Sequence, residues 1–239
     1  MSSLTDTLKK ITMKIDNLDV EHGYLVNSSG KIVFKTTDNK ERTVWIGDKL
    51  ANLTSNVITD CTFIHNHPVN YFVGNIPVLS SLSVNDLATN AAYNMKATIA
   101  VDPIYVYTVK RPKSGYGKFV NRTFTKYYWG ISDKLQDEMK KQILDGKLNI
   151  REYEENWVHL VAKQVCNHFG WIYSRTKNPY SDFKISLKGE VLQYADIPKW
   201  IKQSKNPNKK KLIESYRQRF IAVMNRNPEL KEFYDYPKK

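Results

Sequence analysis

Two histidines separated by one residue, His65 and His67, follow the short β-branched and apolar run Cys61-Thr62-Phe63-Ile64. A strand sends residues i and i+2 to one face, with roughly 6.7 Å between their Cα atoms, so both imidazoles can reach a single cation. Pro68 cannot donate to a ladder; it ends the strand and leaves the pair at its carboxyl edge. Neutral imidazole suits zinc, and a catalytic zinc takes three protein ligands and keeps one place for water. Asp86, in Ser83-Val84-Asn85-Asp86, is a candidate for the third ligand. Cys61, four residues before His65, gives a rival set of Cys61, His65 and His67, although no pattern for a fourth ligand follows it.

His65-Asn66-His67-Pro68 followed by Ser83-Val84-Asn85-Asp86 resembles the JAB/MPN metalloprotease signature, the JAMM motif. That motif is His-x-His-Pro, a spacer and Ser-x-x-Asp, with a separate glutamate upstream. Glu21, in Val20-Glu21-His22-Gly23-Tyr24, fits the glutamate's place, and Glu41 is the next candidate. The His-Asn-His-Pro wording is closest to the bacterial and phage branches, RadC-like domains included. The resemblance covers residues 20 to 110, and its spacer, residues 68–82, is longer than the family's. The excess, Tyr71 to Leu79, is apolar and reads as a lid or a partner-binding insert. The resemblance implies Zn²⁺ held by His65, His67 and Asp86, with Glu21 as general base and Ser83 as oxyanion donor. It implies hydrolysis of a peptide or isopeptide bond, often at the tail of a ubiquitin-like protein. The implied fold is α/β, JAB/MPN-like (cytidine-deaminase-like), a mixed sheet with flanking helices.

The elements that must position these residues are legible from periodicity. Leu4, Leu8, Ile11, Ile15 and Leu18 make an amphipathic helix that Ser3 or Thr5 can cap and whose stripe packs on a sheet. Residues 23–27 and 31–37 read as strands joined by Ser28-Ser29-Gly30, a hairpin turn. A turn at 38–40, a strand at 42–46 and a short helix at 47–52 follow, then the histidine strand from Thr59. Ser83-x-x-Asp86 is also a helix capping box, and Leu87, Ala91 and Met95 follow at helical spacing. The same residues can start a helix and face a metal. Residues 97–101 and 104–109 are strands, and Lys110 to Gly115 is a basic loop. A boundary there gives a JAB/MPN-like domain at 1–118 and a basic, mostly helical domain at 119–239. In the latter, Leu135, Met139 and Ile143 form one stripe ended by Gly146. Trp157, Val161, Val165 and His168 form another ended by Gly170, which makes His168 a core histidine, while His159 lies off the stripe. Short strands at 183–187 and 190–194 and a third stripe from Leu212 to Met224 complete the reading.

The net charge is +13, and it is unevenly placed: residues 1–118 carry 13 Lys+Arg against 10 Asp+Glu, and 119–239 carry 24 against 14. Lys205 to Lys211, with Arg217, Arg219 and Arg226, offers a cationic strip for a nucleic-acid backbone. The charge therefore adds nucleic acid or nucleoprotein to a protein substrate as expected partners. A nucleic-acid-associated (RadC-like or phage-assembly) role and a non-catalytic binding module stand as alternatives to the peptidase. Two cysteines make no disulfide framework. No apolar run approaches the ~18 residues of a membrane span, and no apolar signal region opens the sequence, so the expected setting is cytoplasmic, or phage- or virion-associated, without a membrane partner.

Overall fold

The structure, a computed structural model, describes residues 3–16, 18, 20–37, 50, 52–68, 79–148 and 152–180, and the backbone alone of 72–73, 76–77, 150–151, 192–193 and 234–235. It divides into two compact units. The first, residues 1–70, 79–135 and 156–183, contains every residue of the motif.

Helix α1 (Leu4–Ile15) opens on a capping box: Ser3 Oγ accepts from the Asp6 N–H, and the Asp6 carboxylate accepts from the Ser3 N–H. Its buried face sets Ile11 and Ile15 against Tyr24, Val26, Ile64 and Val101, so the stripe packs on the sheet. Strands β1 (His22–Val26) and β2 (Ile32–Thr37) form the expected antiparallel hairpin. Asn27 Oδ1 accepts from the Lys31 N–H across the turn, and Gly30 there takes a positive φ of 83°, which suits a residue without a Cβ. The histidine strand begins later than its β-branched residues suggest, because Ser55–Thr59 is a short helix, α2; strand β3 is Thr62–Asn66. Short strands β4 (Phe72–Val73) and β5 (Ile76–Pro77) pair with one another.

Helix α3 (Val84–Ala92) leads to β6 (Ala97–Val101), which lies parallel to β3, and β7 (Tyr105–Lys110) returns antiparallel. Helices α4 (Asn121–Leu144) and α5 (Ile150–His168) follow, then β8 (Ile172–Lys177). The result is a six-stranded mixed sheet in the order β2-β1-β3-β6-β7-β8, with helices on both faces. Alternation along the strands sorts the faces: Tyr24, Val26 and Ile64 face α1, whereas Leu25, Cys61 and Phe63 join Leu50, Ile58 and Met95 on the other side.

Strand β8 is an addition to the sequence reading. It lies beyond the boundary at residue 118, yet it pairs with β7 throughout, with Val109 opposite Tyr173. One apolar cluster joins Leu87 of α3 and Ala100 of β6 to Phe124 of α4, Val161 of α5 and Trp171. His168 requires a correction: it is exposed, stacked on the Tyr127 ring at 4.0 Å between centroids, because the buried arc of α5 runs through Val161, Ala162, Val165 and Cys166. Its apolar spacing from Val161 places it at the margin of that arc.

The second unit comprises residues 71–78, 136–155 and 184–239. Met139, Ile143 and Tyr153 are buried, and Gly146, at φ 74°, follows the end of α4 as expected. Strands β9 (Leu192–Gln193) and β10 (Tyr234–Asp235) pair in parallel. The strand at 42–46, Glu41, most of the helix at 47–52 and the 183–187 strand fall outside the described residues. So do the Lys205–Lys211 run, the stripe from Leu212, and the side chains of residues 71–78 in the Tyr71–Leu79 insert. Among the described residues no helix is long and apolar enough to cross a membrane.

Candidate metal centre

Three separate segments meet at the carboxyl end of β3. Gly23 of β1 sits opposite His65, which brings Glu21 alongside the exit of β3. Because β3 and β6 are parallel, the intervening helix must cross over, and it delivers its amino terminus, Ser83 to Asp86, to that same edge. Open sheets generally bind ligands beyond the carboxyl ends of their strands.

The five residues singled out by the motif come together, with four of them in direct contact around one point. The Nε2 atoms of His65 and His67 are 2.9 Å apart. Asp86 Oδ1 lies 3.3 Å from His65 Nε2 and Asp86 Oδ2 lies 3.7 Å from His67 Nε2. Glu21 Oε1 is 3.7 Å from His65 Nε2. Glu21, His65 and His67 each offer a ligand atom within 4.8 Å of the other two, a group that could hold a metal ion. Asp86 touches both histidines, so two carboxylates, not one, compete for the remaining place. Four ligands at 2.0–2.1 Å from a tetrahedral centre stand roughly 3.3 Å apart, and the observed contacts bracket that edge.

Ser83 and Asp86 also do what their spacing alone predicts. Ser83 Oγ accepts from the Asp86 N–H at 3.2 Å, and Asp86 Oδ2 accepts from the Ser83 N–H at 2.7 Å. The cap fixes the Asp86 carboxylate in one orientation, with Oδ1 turned to His65. The rival ligand set does not assemble: Cys61 is fully buried in the apolar cluster with Phe63 and Met95, and its thiol donates to the Val57 carbonyl. Burial, and then Asp60, push that thiol up to about 11.

The electrostatics sort the protons. His67 Nδ1 lies 2.9 Å from the Ser80 carbonyl, which can only accept, so Nδ1 carries the hydrogen and Nε2 presents its lone pair. Burial, and then His65, push His67 down to about 4, which keeps it neutral at pH 7. Burial alone would lower His65 as well, but the Asp86 carboxylate beside it, with Glu21, raises it. Burial would raise Asp86; the two histidines and the Ser83 hydrogen bond overcome it and hold the carboxyl well below its usual range. His65 Nδ1 is buried with no hydrogen-bond partner among the described residues, and the ring stacks on Phe63 at 5.0 Å. A neutral imidazole, a second imidazole held against a carboxylate whose pKa is lowered, and a buried glutamate form a donor set that fits a divalent borderline metal such as zinc.

Two supporting residues carry no motif signal. Asn66, between the histidines, leaves β3 by the opposite face and is almost wholly buried. Its Oδ1 accepts from the His22 N–H at 2.7 Å, and its Nδ2 donates to the carbonyls of Val20 at 3.1 Å and Leu18 at 3.3 Å. It grips the backbone on both sides of Glu21. Tyr173, from β8, hydrogen-bonds Ser81 and His159, both at 2.8 Å. His159, assigned no role by its place off the stripe, is half-buried in that contact. Compared with known proteins, the chain matches no protein-family model, no curated protein and no solved structure.

Proposed function

We propose that this chain is a zinc-dependent JAB-type peptidase or isopeptidase. The observation that supports it is the meeting of Glu21, His65, His67 and Asp86, drawn from three segments, at one strand edge. His65, His67 and Asp86 would hold the metal; Asp86 is preferred to Glu21 because it contacts both rings and its cap locks it in place. Bound zinc supplies a water whose pKa falls to about 7 and polarises a substrate carbonyl. Glu21, buried beside His65, is the base that takes a proton and returns it to the leaving amine. Ser83 accepts the Asp86 N–H, which leaves its hydroxyl proton for an oxygen gaining negative charge. The substrate class that this chemistry serves is a protein amide bond, with the tail of a ubiquitin-like protein as the form the motif suggests.

Elemental analysis of the purified chain tests the reading. Wild type is expected to carry close to one zinc per chain and His65→Ala/His67→Ala none. Asp86→Asn is expected to lose the metal, whereas Glu21→Gln keeps it and loses amide hydrolysis. A folded wild type without zinc, or a Glu21→Gln variant that loses it, would overturn the assignment.

The charge asymmetry, 24 basic against 14 acidic residues beyond 118, favours nucleic acid as a second partner for the same chain. Binding of the full chain to duplex DNA should then weaken steeply between low and physiological salt; salt-insensitive binding would reject it.

A further inference from the structure

We propose that Tyr173, backed by His159, is a positioning residue of the metal centre: its hydroxyl anchors the segment that orients both His67 and Asp86. The inference rests on the metal-centre reading above and extends it to a strand and a helix outside the motif.

The segment runs from Leu79 to Ser83. At one end the Ser80 carbonyl accepts from His67 Nδ1 at 2.9 Å and thereby fixes which nitrogen of that ring faces the cluster. At the other end Ser83 caps α3 and holds the Asp86 carboxylate. Ser81 lies between them, 2 % exposed, with its Oγ 2.8 Å from the Tyr173 hydroxyl. Leu79 and Leu82 are also buried, but apolar contact does not set the rotation of a peptide plane, and the Ser80 carbonyl must point in one direction to serve His67. A hydrogen bond is directional and can set it. Among the described residues Ser81 Oγ has this one side-chain tether.

The tether ends on a rigid support. Tyr173 pairs with Val109 in the sheet. Arg175, two residues on, donates to Asn156 of α5 at 3.0 Å and lies over the Tyr105 ring. His159 Nδ1 is 2.8 Å from the Tyr173 hydroxyl. Burial, and then Arg175 and Lys163, push His159 down to about 4, so at neutral pH the ring is uncharged and one nitrogen can accept. With Nδ1 as that acceptor, the chain of donors runs from Ser81 to Tyr173 to His159, and each bond polarises the next. The Ser80 carbonyl is bonded directly to His67, and loss of such a bond typically costs roughly 10- to 100-fold in metal affinity; the tether acts through it, so that range is its upper limit.

The test uses the full chain loaded with Co²⁺ alone, whose visible bands report ligand geometry. Tyr173→Phe keeps the ring in the core and removes only the hydroxyl; Ser81→Ala removes the other partner. Each is expected to weaken Co²⁺ binding, by up to roughly 10- to 100-fold, and to shift the bands. The double variant should be no worse than Tyr173→Phe alone, because that substitution already breaks the bond to Ser81. Thr7→Val is the control: it deletes a buried hydrogen bond to the Gly30 carbonyl, at the β1–β2 turn, and should lower the melting temperature without moving the bands. A second readout needs no metal. The His67 Nδ1 proton, followed by ¹H–¹⁵N correlation, should exchange with water at least ~10-fold faster in Tyr173→Phe than in wild type. Wild-type affinity, bands and proton exchange in Tyr173→Phe would overturn the proposal. A wild type that takes up no Co²⁺ sinks the metal reading, and the His67 proton then decides the tether by itself.

Discussion

Asn66 allows the most quantitative prediction. Its side chain makes three hydrogen bonds to the backbone on either side of Glu21, across more than 40 residues of sequence. A net hydrogen bond is worth about 1 kcal/mol, and the 3.3 Å contact to Leu18 less, so Asn66→Ala should cost about 2–3 kcal/mol. That is a loss on the order of 100-fold in the folding equilibrium. Asn66→Asp is the sharper variant. It retains an acceptor for the His22 N–H but turns an oxygen, in place of Nδ2, toward two carbonyl oxygens. It should therefore be no more stable than the alanine variant. Urea unfolding of the metal-free full chain, followed by circular dichroism with the slopes compared, gives both numbers. On the function proposed above, because His65 leaves β3 by the other face, Asn66→Ala should still bind zinc while the step assigned to Glu21 slows. An Asn66→Ala variant within about 0.5 kcal/mol of wild type, as ordinary surface changes are, or an aspartate variant more stable than the alanine one, would refute this role for Asn66.

Gly23 and Asp102 give two further expectations. A Cβ on Gly23 would stand 2.7 Å from the Phe63 ring, which stacks on His65. Gly23→Ala should cost about 1–3 kcal/mol by overpacking and weaken metal binding as the stack shifts, read by thermal melting and zinc titration; an unchanged zinc affinity would show that the ring moves independently of His65. Burial, opposed by the Tyr105 and Ile104 N–H groups, pushes Asp102 up to about 6 from its ordinary 3.8. The fold thus prefers the protonated carboxyl: its contribution is fully present below about pH 4 and is lost as the pH rises through 6. Raising this carboxyl from 3.8 to about 6 corresponds to about 3 kcal/mol. Asp102→Asn, which cannot ionise, should gain on wild type by up to that amount between pH 4 and pH 7 in urea midpoints, and a gap constant with pH would refute the assignment.

The site was legible in the sequence because its chemistry is concentrated in a few residues at short spacing. Two histidines at i and i+2 on a β-branched run converge in any strand, and a serine and aspartate three apart cap any helix. What brings the two together is the parallel pairing of β3 with β6, a long-range choice that no local pattern encodes. Strand β8 escaped for a related reason. Ile172-Tyr173-Ser174-Arg175-Thr176-Lys177 is an edge strand whose exposed positions include Ile172 and whose half-buried positions include Arg175, so its alternation of apolar and polar residues is weak. His168 was misplaced because spacing identifies a helical face but not where that face ends. Asn66 gave no warning because a lone asparagine between two histidines looks like a spacer; only the pairing of β1 with β3 shows that its amide meets the Glu21 backbone.

The capping box at Ser83 and Asp86 has a consequence for how such a chain can change over generations. Ser83 and Asp86 cap the helix, and the Asp86 carboxylate that completes the cap also faces both histidines, so selection for folding alone suffices to retain them. A lineage that lost the two histidines would keep Ser83 and Asp86, or drift to threonine and glutamate, which preserve the cap. His67 is different: its ring makes no apolar core, and its tie to the Ser80 carbonyl serves mainly to aim its other nitrogen. It would be the first of the group to erode. Among descendants of this sequence, the state of position 67, rather than the integrity of the serine and aspartate, would separate chains that can still gather a metal's ligands at this edge from scaffolds that have kept only the shape.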